Sequence, residues 1–333
     1  MSPEKLDTQI INGYRLTKPF TTSNAGMCQW TFAQKGGRDY FIKQLLFPKY
    51  PTAAAQKNLS ESMIRAMIAE ATDFYNRRRQ FYEKLYECRT GNVVAVLDFF
   101  REKEFYYLIT ERVIGNFLSI EDIAALSEEK KRTFFKAVLY SIVQLQDRGI
   151  VHSDLKPENI LVRQTAAGFC TAKLIDFDSG YFESEIPDEI IGDQRYLSPE
   201  ALLRNDEQDV PVTVRSDMFA IGLLFHQYWC GEMPGFDRSE FDSAAEALLN
   251  DAELSIDPSI PEDVRSLIVS MLDRDAEKRP LAREAWELLS GRELEPAPEP
   301  EKTPEPAEPE KSGSAPENDR AALWFRLPDD EDL

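Results

Sequence analysis

The chain has 333 residues, 59 Asp/Glu against 39 Lys/Arg, a formal charge of −20 and a hydrophobic fraction of 42%. That is enough for one large domain with a proper core, and the acidity argues against nucleic acid or an anionic membrane surface as the main partner. Four dispersed cysteines and two histidines leave no zinc site at useful spacing. With no apolar leader and no apolar run long enough to cross a bilayer, a cytoplasmic protein with free thiols is expected.

From Tyr14 to about Phe47 the texture is strand-like. "MCQWTFAQKGGRDYFIKQLLF" reads as two β-rich runs around the turn "KGGR". Residues 60–88 read as one long helix, with Met63, Met67, Phe74, Phe81 and Leu85 forming a stripe along one face. "NVVAVLDFF" and "EFYYLITERV" are two further strands. Beyond Val113 helices are predicted at 118–126, 127–147, 215–231, 238–250, 261–273 and 280–290, interrupted by the short strands "NILV" and "AKLIDF". A β-rich first part carrying one helix, followed by a larger helical part, is a two-lobed α+β arrangement. Residues 292–320 are Pro/Glu-rich and predict an extended spacer. Residues 321–333 end the chain with "LWFRL" and an acidic run.

The densest chemistry lies in "VHSDLKPENILV" and "LIDFDSG", residues 151–162 and 174–180. The first places an acid, a cation two residues on and an amide five residues on in a single loop. The second ends an apolar strand on a carboxylate, which must be solvated, paired or placed on a metal. Phosphoryl transfer needs such a set: a carboxylate to orient a hydroxyl and take its proton, a cation to offset phosphoryl charge, and oxygen ligands for Mg²⁺. In these motifs the chain resembles the eukaryotic-type (Hanks-type) serine/threonine protein kinases, with departures similar to those of a divergent prokaryotic subgroup.

The resemblance covers residues 14–291, preceded by a short extension at 1–13. It implies a first lobe over about 14–112 and a second over about 113–291. It assigns Asp154 as the acceptor of the substrate proton, Lys156 as the phosphoryl cation, and Asn159 and Asp176 as ligands of Mg²⁺ or Mn²⁺. His152 and Phe177 become packing residues. Glu200 closes the activation segment opposite Arg279, and Asp217 braces the catalytic loop. ATP would be held by Lys43 in "YFIK", by a degenerate phosphate loop with Gly26 as its lone glycine, and by the hinge from Glu111 to Val113, with Thr110 before it. Two glutamates compete as the partner of Lys43. Counting back from the next strand favours Glu83, but Glu83 falls on the polar side of the helix. Glu70 falls within the apolar stripe and is preferred.

Several positions depart from the family pattern. Phe41 replaces the alanine over the adenine. Ser153 replaces the arginine that receives a loop phosphate, so switching by loop phosphorylation loses its main anchor. Asp178 replaces a glycine, which suggests restricted rearrangement of that turn. Asp193 stands where threonine is usual, near the acid and Lys156. The resemblance therefore implies an ATP- and Mg²⁺-dependent kinase acting on protein hydroxyls without loop phosphorylation. The alternative is a pseudokinase or nucleotide-sensing scaffold. The end segment 321–333 is a candidate docking motif for another protein or for the chain's own domain.

Overall fold

The computed structural model describes residues 9–22, 28–57, 59–90, 92–165 and 170–295. Gly26, most of the spacer and the whole of the 321–333 motif lie outside the described residues. The described residues divide into two compact units, the first comprising those up to Glu87 together with Ala95–Val113, the second Cys88–Val94 together with residues 114–295.

In the first unit, strands β1 (Ile10–Ile11), β2 (Tyr14–Leu16), β3 (Cys28–Lys35), β4 (Arg38–Leu45), β5 (Val96–Glu102) and β6 (Phe105–Glu111) form one sheet in the order β1-β2-β3-β4-β6-β5. Every pairing is antiparallel. The runs expected around "KGGR" are β3 and β4, joined at Gly36 (φ 58°) and Gly37 (φ 75°). Two successive positive φ angles match the twist of a tight hairpin, and glycine reaches them without a Cβ clash. Strand alternation sends Ala33, Ile42, Tyr107 and Ile109 into a core with Ile11, Tyr14, Leu16 and Phe100.

The other face carries Trp30, Phe41, Lys43, Leu108 and Thr110, because Trp30 pairs with Lys43, Lys43 with Leu108, and Phe41 with Thr110. A short helix α1 (Ala53–Gln56) precedes the long helix α2 (Glu61–Tyr86). The Ser60 hydroxyl caps α2 by accepting from the Met63 amide at 3.3 Å. The helix packs through aromatic rings. Tyr75 and Tyr82 meet Phe99 at 5.4 and 5.0 Å, Phe74 meets Tyr106 at 5.2 Å, and the Tyr106 hydroxyl donates to the Ala71 carbonyl at 3.0 Å.

The second unit runs through α3 (Ile120–Ala124), α4 (Glu128–Gln146), strands β7 (Ile150–Val151), β8 (Ile160–Gln164), β9 (Cys170–Leu174) and β10 (Tyr181–Phe182), then α5 (Pro199–Asn205), α6 (Arg215–Cys230), α7 (Ala244–Leu249), α8 (Glu262–Met271) and α9 (Ala282–Ser290). Two short antiparallel ladders, β7 with β10 and β8 with β9, frame the loops described below. Helix α6 is buried on all sides, which is why its sequence lacks an amphipathic stripe. Its Phe225 stacks on Phe135 of α4 with ring centroids 3.8 Å apart. The helix expected at 238–250 is shorter, because its first residues form turns and α7 starts only after the Ser243 cap. Among the described residues no helix is long and apolar enough to cross a membrane.

Candidate active site

The loop between β7 and β8 holds Asp154, Lys156 and Asn159 together. Lys156 Nζ lies 2.7 Å from Asp154 Oδ2, and Asn159 Nδ2 donates to the same oxygen at 3.0 Å and to the Asp154 carbonyl at 2.7 Å. Asp154 Oδ1 accepts from the backbone amide of Asp193 at 3.0 Å. The carboxylate is thereby fixed by three donors around it, with the Asp154 side chain still 15% exposed. Both bonds of the Asn159 amide nitrogen go to Asp154, so the nitrogen serves as the donor here and the oxygen Oδ1 is left as the acceptor of the group.

Below the loop, Asp217 in the first turn of α6 accepts from the amides of His152 at 2.8 Å and Ser153 at 3.0 Å. Burial pushes the Asp217 carboxyl up, while His152 and the two amides act in the opposite direction. His152 is wholly buried; its Nε2 lies 3.1 Å from the Ile175 carbonyl and its ring 4.4 Å from that of Phe177.

The β8–β9 ladder aligns Ile160 with Leu174, and the Ile175 amide donates to the Asn159 carbonyl at 3.0 Å. Asp176 is therefore one residue past the neighbour of Asn159. An amide oxygen and a carboxylate are hard oxygen donors, which fit Mg²⁺ completed by water and phosphate oxygens. Positive φ in this turn falls on Asp176 (φ 64°) and not on Asp178. The backbone angles that were expected to restrict an aspartate at a glycine position thus belong to the neighbouring acid. Non-glycine residues adopt this region at a cost, and do so where surrounding contacts hold them.

Glu200, in the first turn of α5, faces Arg279 in a two-pronged ion pair with distances of 2.7 and 2.8 Å. Arg279 is fully buried and also donates to the carbonyls of Asp273, Arg215 and Arg274. This is the geometry in which a buried ion pair is tolerated, since the five guanidinium N–H donors meet five acceptors.

In the first unit, Lys43 is 7% exposed on the sheet face described above. Phe41 shares that face and packs against Trp30 at 5.3 Å and Phe32 at 5.9 Å. Glu111 is held at the end of β6 by two bonds to Ala95, one to each of that residue's backbone groups. Val113 follows it, half-buried.

The preference for Glu70 over Glu83 as the partner of Lys43 rests on a packed helix face, and that face is not packed at Glu70. Glu70 is exposed, and among the described residues no ion pair joins it to Lys43. Glu83 instead pairs with Arg79 at 2.9 Å. The buried positions of α2 are Ala71, Tyr75, Phe81, Tyr82 and Leu85, while Met63 and Met67 are 53% and 37% exposed. The apolar stripe continues into the first turns of the helix, but the part of the sheet that α2 packs on begins only near Ala71.

Sequence reasoning missed the contacts of the segment between Asp176 and Glu200. The Ser153 hydroxyl donates to the Ile191 carbonyl at 3.0 Å. Asn205 grips both backbone groups of Ile190, accepting from its amide at 2.7 Å and donating to its carbonyl at 3.0 Å. Arg204 donates to the Pro187 carbonyl at 2.7 Å. Gly192 is the available signal in the sequence, since a Cβ there would come within 2.6 Å of the Ser153 carbonyl oxygen.

A family model described as the protein kinase domain matches residues 54–288. Among curated proteins, the chain is similar to serine/threonine-protein kinase PSK2 of Saccharomyces cerevisiae, with 33% identity over 59% of this chain and 17% of that protein. It is also similar to calcium-dependent protein kinase 12 of Oryza sativa subsp. japonica, with 26% identity over 71% of this chain and 44% of that protein. Calcium/calmodulin-dependent protein kinase type 1 of Caenorhabditis elegans is 27% identical over 59% of this chain and 56% of that protein. The chain thus spans less than two thirds of the length of each of these relatives. The family match over most of its length means that the chain belongs to the protein kinase family.

Proposed function

We propose that the chain transfers the terminal phosphoryl group of ATP to serine or threonine hydroxyls of protein substrates. The observation that carries this reading is the Asp154 carboxylate, held by Lys156 at 2.7 Å and Asn159 at 3.0 Å within one six-residue stretch. Asp154 orients the substrate hydroxyl and accepts its proton, a role worth about 10²–10⁴ in rate. Lys156 stays beside it to offset charge on the moving group. Asn159 and Asp176 would hold Mg²⁺, which when bound neutralises the phosphate oxygens. Lys43 would meet the nucleotide phosphates, and Glu111 to Val113 the adenine. The name of the yeast relative, serine/threonine-protein kinase PSK2, supports serine and threonine as acceptors, and action in the cytoplasm is part of the same proposal.

We further propose that loop phosphorylation is not required. Ser153, Asn205 and Arg204 hold the segment from Pro187 to Ile191 through neutral backbone groups, so no phosphate is needed as an anchor. Phosphatase treatment should leave the transfer rate unchanged, and a large loss would refute this part.

The second reading is a nucleotide-binding scaffold without transfer. The two readings separate in one experiment. Thermal shift with ATP, with and without Mg²⁺, is measured beside radiolabel transfer to protein substrates. Transfer abolished by Asp154→Ala and by Asp176→Asn supports the kinase; binding with no transfer by the parent protein supports the scaffold.

A further inference from the structure

Asp193 and Arg195 form a pair at the edge of the catalytic loop. Arg195 Nε and Nη2 meet the two Asp193 carboxylate oxygens at 3.0 and 2.7 Å, and the Arg195 amide adds a third bond at 3.1 Å. The Asp193 side chain is 21% exposed and that of Arg195 64%. The Asp193 amide donates to Asp154 Oδ1, so this acid is tied directly to the residue that Lys156 pairs with. The clamp by Arg195 holds the Asp193 carboxyl below the usual range, and Lys156 contributes in the same direction from nearby. Asp154 thus holds the Lys156 ammonium directly, and Asp193, whose amide is bonded to Asp154, is a second acid next to that pair.

A lysine offered two acids divides between them unless one is already neutralised. Its ammonium is a compact point charge on a flexible stem and can move from one acid to the other. A bidentate guanidinium–carboxylate fork is the arrangement that competes best for an acid, because two parallel charge-assisted bonds form at once. We propose that Arg195 is a positioning residue of the transfer site: by occupying the Asp193 carboxylate it keeps Lys156 on Asp154 and free to meet the phosphoryl group. The proposal accounts for an acid at this position beside an exposed arginine two residues later. It rests on the kinase reading for its catalytic consequence, but not for its structural one.

The test uses the full chain with Arg195→Gln and with the double variant Asp193→Thr/Arg195→Gln. Arg195→Gln alone should lower kcat on the order of tenfold with little change in the KM for protein substrate. The double variant should recover most of that loss, because the competing acid is gone. A crystal structure of Arg195→Gln should show Lys156 Nζ within hydrogen-bond distance of the Asp193 carboxylate. An unchanged kcat in Arg195→Gln would overturn the proposal. So would a double variant as impaired as the single, which is the result of a merely structural role. A change confined to KM that persists in the double variant would mean that Arg195 touches substrate directly, and also overturns it. If the parent chain transfers no phosphate the kinase reading fails, and the position of Lys156 in the crystal still decides this inference.

Discussion

Asp217 shows how much a single carboxylate can organise. It accepts from two consecutive amides, those of His152 and Ser153, and is 2% exposed. Asp217→Asn would put an amide NH₂ against one of those donors and leave a buried N–H without an acceptor. We expect a loss of about 2–4 kcal/mol in stability by chemical denaturation, together with loss of transfer activity as the loop carrying Asp154 shifts. At this scale the sequence was most informative where chemistry is local: Asp154, Lys156 and Asn159 lie within one short loop, so their spacing already implied their contacts. Asp193 and Arg195 are equally local to one another. What their pairing does, however, depends on Asp154, 39 residues earlier, and only the fold brings that residue close. Glu70 marks a different limit. Periodicity gives the direction a side chain points, not whether anything lies there to cover it.

Helix α2 makes that limit measurable. Its second half is buried against β5 and β6 through aromatic contacts, and its first half carries the same apolar pattern in solvent. Phe81, 3% exposed, should cost about 3–5 kcal/mol on truncation to alanine, whereas Met63→Ala, at 53% exposure, should stay within about 0.5 kcal/mol. Equal losses at the two sites, read from denaturant midpoints, would mean that the first turns of α2 are packed in solution. The segment before Glu200 is an element of the opposite kind, with little regular structure and many side-chain anchors. Asn205→Ala removes both bonds to Ile190 and should cost about 1–3 kcal/mol. Hydrogen exchange in the amides of 186–192 should accelerate selectively, since that is the stretch the side chain holds. Apart from Gly192, nothing in the sequence pointed to these anchors, because the backbone groups they hold have no residue type to recognise.

For the molecule as a whole, pH sets stability through a few groups whose environments differ between the folded and unfolded chain. Asp98, at a register shift in β5, is one of them; burial raises the Asp217 carboxyl in the same direction, while burial of His226 favours its neutral form and works against both as pH falls. Burial pushes the Asp98 carboxyl up to about 6, against the opposing pull of Lys35, the Phe99 amide and the Tyr14 hydroxyl, which lies 3.5 Å away. Since its ordinary value is 3.8, the folded chain binds a proton more readily than the unfolded chain between about 4 and 6. Stability from this group is therefore present at the acid end of that window and is lost as pH rises through about 6. Asp193 and Asp263 work the other way. Arginine partners hold them below the usual range, so their contribution is present above about 4 and is lost as pH falls further. The net charge of −20 adds self-repulsion that eases as carboxylates take up protons. The melting temperature should accordingly rise by a few degrees between pH 7.5 and about 5, pass through a maximum, and fall below about 4. Asp98→Asn keeps an acceptor near Tyr14 and removes the buried charge, so it should raise the melting temperature at pH 7.5 and flatten the climb toward pH 5. A climb of unchanged size in that variant would remove Asp98 from the account and assign the effect to Asp217 and overall charge.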